Sequence, residues 1–467
     1  MEKNTVKPFG ISDKLGYLFG DLGNDFTFIL SSSFLMKFYT DVMGVPAAAI
    51  GVIMMAARFI DAFTDVAMGR ICDRSKPTAK GRFRPWLLRM CIPVTVSSFL
   101  IYQSSLAELP VGVKVAYLFV TYILWGSFFY TSVNIPYGSM ASAISPEPGD
   151  RQSLSTYRTM GGMIGATIVT AGIPLLVYEK RDGRDIMIGS RFTSVAAVFS
   201  LLALVCYILC YFLVRERVTS VPSQTARKGN NVFVMIKNAV GNRALVSVIA
   251  ASVVMLLSQL TMQQMINYVF PNFYRNAGMQ SVATLTMSVG MIVAATLARP
   301  LSDRFGKAEI GSVANIVAGV GCLLLFFIRP ESVWVYIAFQ TLSWIGLGVF
   351  SMVSWALITD VIDYSEIRNG IREDGSVYAL YSFARKLGQA ASSGLSGGLL
   401  SFIGYSEATA FDEGVVNGIY NISTIVPAVG FIVLGLILRF WYPLGKKQVE
   451  KNTEILRLKR KEREQGE

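Results

Sequence analysis

The feature that most constrains this chain is a succession of long apolar segments, at about 15–40, 46–69, 86–107, 113–143, 154–177, 193–214, 245–273, 281–300, 310–329, 333–358, 376–403 and 416–442. At 1.5 Å per residue each is long enough, as a helix, to cross most or all of a hydrocarbon layer of ~30 Å, where every backbone group must be satisfied internally. The pattern predicts an all-α membrane protein of 12 transmembrane helices. Of the 467 residues 52% are hydrophobic and only 16% charged, and the mean hydropathy is +0.47, far from the balance of a soluble domain.

The basic residues set an orientation. The second connection holds Arg70, Arg74, Lys76, Lys80, Arg82, Arg84 and Arg89 against Asp73 alone, and the sixth contains the longest polar stretch, TSVPSQTARKGNN. Positive-inside bias therefore puts both termini, the central loop and the tail GKKQVEKNTEILRLKRKEREQGE in the cytoplasm of a polytopic plasma membrane protein. The connection at 178–191, with EKRDGRD, runs against the rule, so the orientation rests on the sum of loops. The expected organisation is a six-helix bundle over 1–214, a cytoplasmic loop over 215–243, a second six-helix bundle over 244–442 and a basic tail over 443–467. GRICDRS at 69–75 and ARPLSDRFGK at 298–307, about 230 residues apart, read as matching turns of a structural repeat. A net charge of +12 distributed this way signals topology and contact with membrane lipid, and speaks against nucleic acid. The five cysteines have no metal-ligand spacing, and with no histidine any proton carrier is Asp, Glu or Lys. No cleavable signal sequence, cofactor or obligatory protein partner is indicated.

Charges within spans mark function. In MAARFIDAFTDVAMG, residues 55–69, Arg58, Asp61 and Asp65 share one helix side, either as a cation or proton site or as an ion pair that fixes packing. YLFGDLGNDFTF gives span one a second acidic face, Asp21 and Asp25, with Asp25 the expected direct ligand. YTSVNIPYGS offers the Thr131 hydroxyl and the Asn134 amide, and Pro136 with Gly138 is expected to interrupt the helix there. Arg158 is placed either to bind a sugar or anionic substituent or to lie at the interface. Gln263 and Asn267, in a stripe with Gln259, read as cavity lining, as do Tyr381 and Ser382 ahead of Lys386. Either Lys386 or Arg385 is the inward cation. The repeated turns contribute Asp73, Arg74, Asp303 and Arg304, and the charged connection 359–375 contributes Asp360 and Asp363, to an expected gating group.

The segments GDLGNDF, FYTDVMG, ARFIDAFTDVAMGR, KGRFRPW, SVNIPYGSM, DVIDYSEI and YALYSFARKLGQ together resemble the glycoside–pentoside–hexuronide cation symporters of the major facilitator superfamily, which include melibiose and glucuronide permeases. The resemblance covers almost the whole length. It implies the major facilitator fold of two six-helix bundles, alternating access, and no enzymatic turnover. It also places Asp61 and Asp65 at the cation-site acids, Thr131 at a contributing hydroxyl, and Asp25, Asn134, Arg158, Tyr381 and Lys386 around the sugar path. Melibiose-like members carry a carboxylate where Asn134 stands and an aromatic ring where Gly138 stands, so this site is expected to be less acidic. NIPYGS and YSFARKLGQ are similar to the glucuronide branch. Thr64 stands where sodium-using relatives carry an amide, which favours H+ over Na+ at Asp61 and Asp65. The implied function is import of an acidic glycoside or hexuronide with a monovalent cation across a bacterial inner membrane. An uncoupled facilitator or exchanger of the same fold is the competing reading.

Overall fold

The computed structural model describes residues 8–75, 77, 78, 80–218, 241–369 and 374–466. Its helices are α1 (Ile11–Asp41), α2 (Ala47–Arg74), α3 (Arg84–Ile101), α4 (Val111–Ile123), α5 (Thr131–Ile144), α6 (Pro148–Val177), α7 (Gly189–Leu213), α8 (Arg243–Tyr268), α9 (Gly278–Phe305), α10 (Lys307–Ile328), α11 (Val333–Asn369), α12 (Asp374–Phe402), α13 (Glu413–Leu436) and α14 (Lys446–Gly466). Among the described residues three stretches are wound more widely, as π-helix: Leu124–Tyr130 between α4 and α5, Val269–Phe273 after α8, and Ile437–Trp441 after α13.

Among the described residues, nine helical stretches are long and apolar enough to cross a membrane, for example Ala47–Cys72, Val111–Ile144 and Val333–Arg368. The protein is thus an all-α polytopic membrane protein. Against an expectation of twelve spans, α1, α3 and α12 fall outside this set. The physical reason is plain for two of them: α1 carries Asp21, Asp25 and Lys37 along its length, and α12 carries Arg385 and Lys386.

Local structure departs from the sequence expectation at four places. The 359–375 connection is largely helix, because α11 continues to Asn369. Pro136 sits inside an unbroken α5, and the irregularity lies before it, at Leu124–Tyr130. The charged connection after α6 is a hairpin, β1 (Tyr178–Arg181) with β2 (Arg184–Met187), paired Tyr178 to Met187 through Arg181 to Arg184. Its turn residues Asp182 and Gly183 both have positive φ, 49° and 73°, as a two-residue Asp-Gly hairpin requires. Finally, the basic tail folds as α14.

The helices cluster in two compact units. The first comprises Met1–Ala226, Phe270–Ser281 and Gly397–Val415; the second comprises Arg227–Val269, Val282–Ser396 and Val416–Glu467. In the first, α6 meets α1 at Gly161, where any Cβ would collide with the Leu18 carbonyl. Tyr17 and Tyr137 tie α1 to α5 reciprocally: each hydroxyl donates to the other's backbone carbonyl, at 3.2 and 2.6 Å, with the rings stacked 4.6 Å apart. Phe34, Phe38, Tyr102 and Phe192 form an aromatic core between α1, α3 and α7. At the start of α3 the Glu216 carboxylate accepts from the backbone N–H of Arg82, Phe83 and Arg84, at 2.7, 2.9 and 2.7 Å. It occupies the positive end of the helix and satisfies donors that have no intrahelical partner.

In the second unit, Val248, Met255, Phe350, Leu357, Val361 and Phe431 belong to one buried cluster. Asn315 on α10 donates to the Gly311 and Gly346 carbonyls, at 2.8 and 3.3 Å, joining α10 to α11. The tail is anchored in the same unit: the Lys446 N–H donates to Glu309 Oε1 at 2.9 Å, and its Nζ donates to the carbonyls of Asp303 and Arg304 at 3.0 and 2.9 Å.

Candidate functional site

The first unit assembles the acids of α2 with hydroxyls from the π-wound stretch and from the start of α5. Arg58 Nη1 pairs with Asp61 Oδ2 at 3.3 Å, and both side chains are largely buried. Ser127 donates to Asp61 Oδ1 at 2.5 Å, and Thr131 donates to Asp65 Oδ1 at 2.9 Å. The acids are four residues apart and so are the hydroxyls, so the two contacts form parallel rungs. A π-turn inserts an extra residue into the helical repeat. Ser127 within Leu124–Tyr130 and Thr131 just after it are four residues apart and both face α2. Arg58 also lies over the Phe28 ring, 5.0 Å from its centroid, and Phe28 stacks on Tyr130 at 5.5 Å. Thr64 does not extend this set: its hydroxyl lies 3.3 Å from the Ile60 and Asp61 carbonyls of its own helix.

A second charged group forms between α1 and α6. Arg158 Nε donates to Asp21 Oδ1 at 3.0 Å, and its guanidinium lies over the Tyr137 ring at 5.2 Å. The Asp21 and Asp25 carboxylates converge on Gly162, where a Cβ would come within 2.9 and 3.2 Å of their Oδ2 atoms. A glycine at 162 is therefore what leaves room for two acids against α6. Gly138, whose Cβ would lie 3.6 Å from Arg158 Nη1, places Arg158 beside α5 one turn beyond Asn134, which is half-buried. In this unit Asp21, Asp25 and Arg158 form one group, and Arg58, Asp61, Asp65 and Thr131 another.

The remaining candidates lie in the second unit. Tyr381 is fully buried, its hydroxyl 2.9 Å from Ser252 Oγ and 3.5 Å from Arg385 Nη1, with its ring edge-on to Trp355 at 5.1 Å. Ser382 is exposed and Lys386 half-buried on the same helix. Gln263 is half-buried, and Asn267 is buried with its Nδ2 donating to the Gln264 carbonyl at 3.3 Å. Of the expected gating group, Asp360 is bound by Lys307 Nζ at 2.6 and 2.9 Å, and Asp363 is half-buried one turn further on. Arg74, Asp303 and Arg304 are exposed, and the side chain of Asp73 lies outside the described residues.

Sequence reasoning passed over two residues. Ser127 sits in LWGSFFY, four before Thr131; the matching separation of Asp61 and Asp65 was the available signal. Lys37, in FLMKFYTD, is a cation inside an apolar run with an acid four residues on. No group of three or more His, Cys, Asp or Glu arranged for a metal ion occurs among the described residues.

Long apolar helices with carboxylates paired to hydroxyls and arginines within them are the features of a polytopic secondary transporter. The family model described as MFS/sugar transport protein matches residues 16–446, so the chain belongs to that family. It is 31% identical over 435 residues to the glucuronide carrier protein homolog of Escherichia coli (strain K12), covering 93% of each. It is 30% identical over 447 residues to the uncharacterized symporter YjmB of Bacillus subtilis (strain 168), covering 95% of each. The fold is also that of the crystal structure of a D-xylose-proton symporter, with a TM-score of 0.65 at 14% identity over 93% of this chain and 98% of that one.

Proposed function

We propose that the protein is a proton-coupled symporter importing an acidic glycoside or hexuronide, and that α1, α3 and α12 complete twelve spans with both termini cytoplasmic in a bacterial inner membrane. The observation that carries the substrate reading is the Arg158 group. Its guanidinium engages Asp21 through Nε, while Nη1 is directed toward Gly138 beside Asn134. An arginine fork held by one edge is suited to receive a carboxylate with the other. Similarity to a glucuronide carrier homolog supports the same substrate class.

Coupling resides in Asp61 and Asp65. A cation drives transport only by binding one state more tightly than the other, and the hydroxyl rungs give protonation a structural consequence: a protonated carboxyl no longer accepts as a carboxylate, and Arg58 loses its counter-charge. Thr64 bonds along its own helix, so the oxygen set for sodium is thin and a proton is the preferred ion. Lys386, Ser382, Gln263 and Asn267 are the residues of the second unit assigned to substrate binding, and the Lys307–Asp360 pair serves gating on the cytoplasmic side. The alternative, an uncoupled facilitator, is favoured only by the Arg58–Asp61 pair read as a packing device. Purified protein in proteoliposomes separates the two. Acidic-glycoside accumulation driven by an imposed proton gradient supports the proposal; equal uptake without any gradient, or uptake of neutral glycosides alone, overturns it.

A further inference from the structure

Away from these acids, three stretches distant in sequence meet around one lysine in the first unit. Lys37, near the end of α1, is 1% exposed. Its Nζ donates to Asn272 Oδ1 at 2.9 Å and to Tyr405 Oη at 2.7 Å, and pairs with Asp41 Oδ2 at 2.7 Å. Tyr405 Oη in turn donates to Asp41 Oδ1 at 2.7 Å, and Asn272 Nδ2 donates to the Ala410 carbonyl at 3.0 Å. The seam continues beside this cluster. The Ala48 N–H donates to Ser401 Oγ at 3.1 Å, and a Cβ on Gly397 would come within 2.9 Å of Gly51 Cα. On the other side Asp185 of the hairpin accepts from the Ala277 N–H at 2.7 Å, and Ser281 Oγ donates to the Ala171 carbonyl at 2.6 Å.

We propose that Lys37, Asp41, Asn272 and Tyr405 form the latch that must part for substrate to enter from the outer side. The segments at 270–281 and 397–415 lie at the ends of α8, α9, α12 and α13, so alternating access requires them to separate from α1 and α2. A buried ammonium stripped of its partners is costly. Lys37 avoids this because Asp41 is on its own helix, one turn away, and stays with it when Asn272 and Tyr405 leave. The pair Lys37–Asp41 is the permanent half of the latch; Tyr405, which bridges both charges with one hydroxyl, is the releasable half. The sequence separations exclude a local turn: Lys37 and Tyr405 are 368 positions apart. This latch rests on the symporter reading of the preceding section and on the alternating access that the family resemblance implies.

Two measurements test it, one by uptake and one by labelling without any substrate. In the Ala48→Cys, Ser401→Cys protein, oxidation to the disulfide is expected to abolish uptake at least 10-fold and reduction to restore it, while wild type, whose five cysteines are buried, is insensitive. In the Ala48→Cys single variant, labelling by a membrane-impermeant maleimide from outside is expected to speed up at least 3-fold when Tyr405→Phe or Asn272→Ala is added. Undiminished uptake by the oxidised double-cysteine protein, or unchanged labelling in both latch variants, overturns the latch. Failure of wild type to accumulate any acidic glycoside overturns only the substrate reading, because the labelling experiment uses no substrate. Tyr405→Phe and Asn272→Ala are carried together so that one misfolded variant does not decide the outcome.

Discussion

Ser127 donates its hydroxyl to Asp61 at 2.5 Å, across 66 residues of sequence and within one turn of the parallel contact from Thr131 to Asp65. A hydrogen bond to a charged acceptor contributes about 1.5–3 kcal/mol, so Ser127→Ala is expected to weaken the ionised form of Asp61 preferentially. The expected result is a folded transporter whose proton-driven accumulation falls roughly 10-fold. Accumulation under an imposed proton gradient in vesicles checks it.

Asp61→Asn keeps the shape and loses the titrating group. Gradient-driven accumulation is expected to fall to about the level of equilibration, since an ion that no longer binds differentially shifts no population, while exchange of substrate across the membrane persists. Counterflow measured beside accumulation distinguishes loss of coupling from loss of folding.

Arg158→Lys preserves charge and removes the planar fork. KM for an acidic glycoside is expected to rise about 10-fold, which corresponds to ~1.4 kcal/mol, with little change for a neutral glycoside. A parallel rise for both substrates would assign Arg158 to packing against Asp21 and Tyr137.

Glu216→Ala leaves three N–H groups at the start of α3 without their carboxylate. Loss of a helix cap of this kind costs about 2 kcal/mol. A fall in Tm of roughly 2–4 °C in detergent is expected, read by thermal unfolding of purified protein.

Glu407 lies in the turn after α12, where partial burial, and then the nearby Asp41, raise its pKa above the usual 4.5, with Lys114 acting the other way. For an acid raised on folding, the stabilising contribution is present below the unfolded pKa and disappears as pH rises through the folded one. Glu407→Gln is therefore expected to be slightly more stable than wild type at neutral pH, the difference closing as the pH falls below about 4. Thermal unfolding at the two pH values gives the comparison.

Much of the candidate site was legible because a charge in an apolar helix is conspicuous and its i, i+4 neighbours are fixed by helical geometry. Arg58 with Asp61, and Asp61 with Asp65, are of that kind. The partners supplied by other helices were not. Ser127 reads as one more small residue until packing sets it against α2, and the contacts of Tyr381 with Ser252 and Trp355 come from other helices. The hairpin after α6 carried an Asp-Gly turn signal that its mixed charges obscured.

By itself, the sequence determined that this is a polytopic helical membrane protein with acids and arginines inside its helices, because hydrocarbon admits little else and makes every charge costly. Only the tertiary structure decided which charges meet. Lys37 is bound by Tyr405 and Asn272, and Asp360 by Lys307, through contacts whose sequence separations range from 53 to 368. Such pairings depend on how helices pack, which one- and two-turn periodicities do not encode, and they are the contacts on which the proposed latch and gate depend.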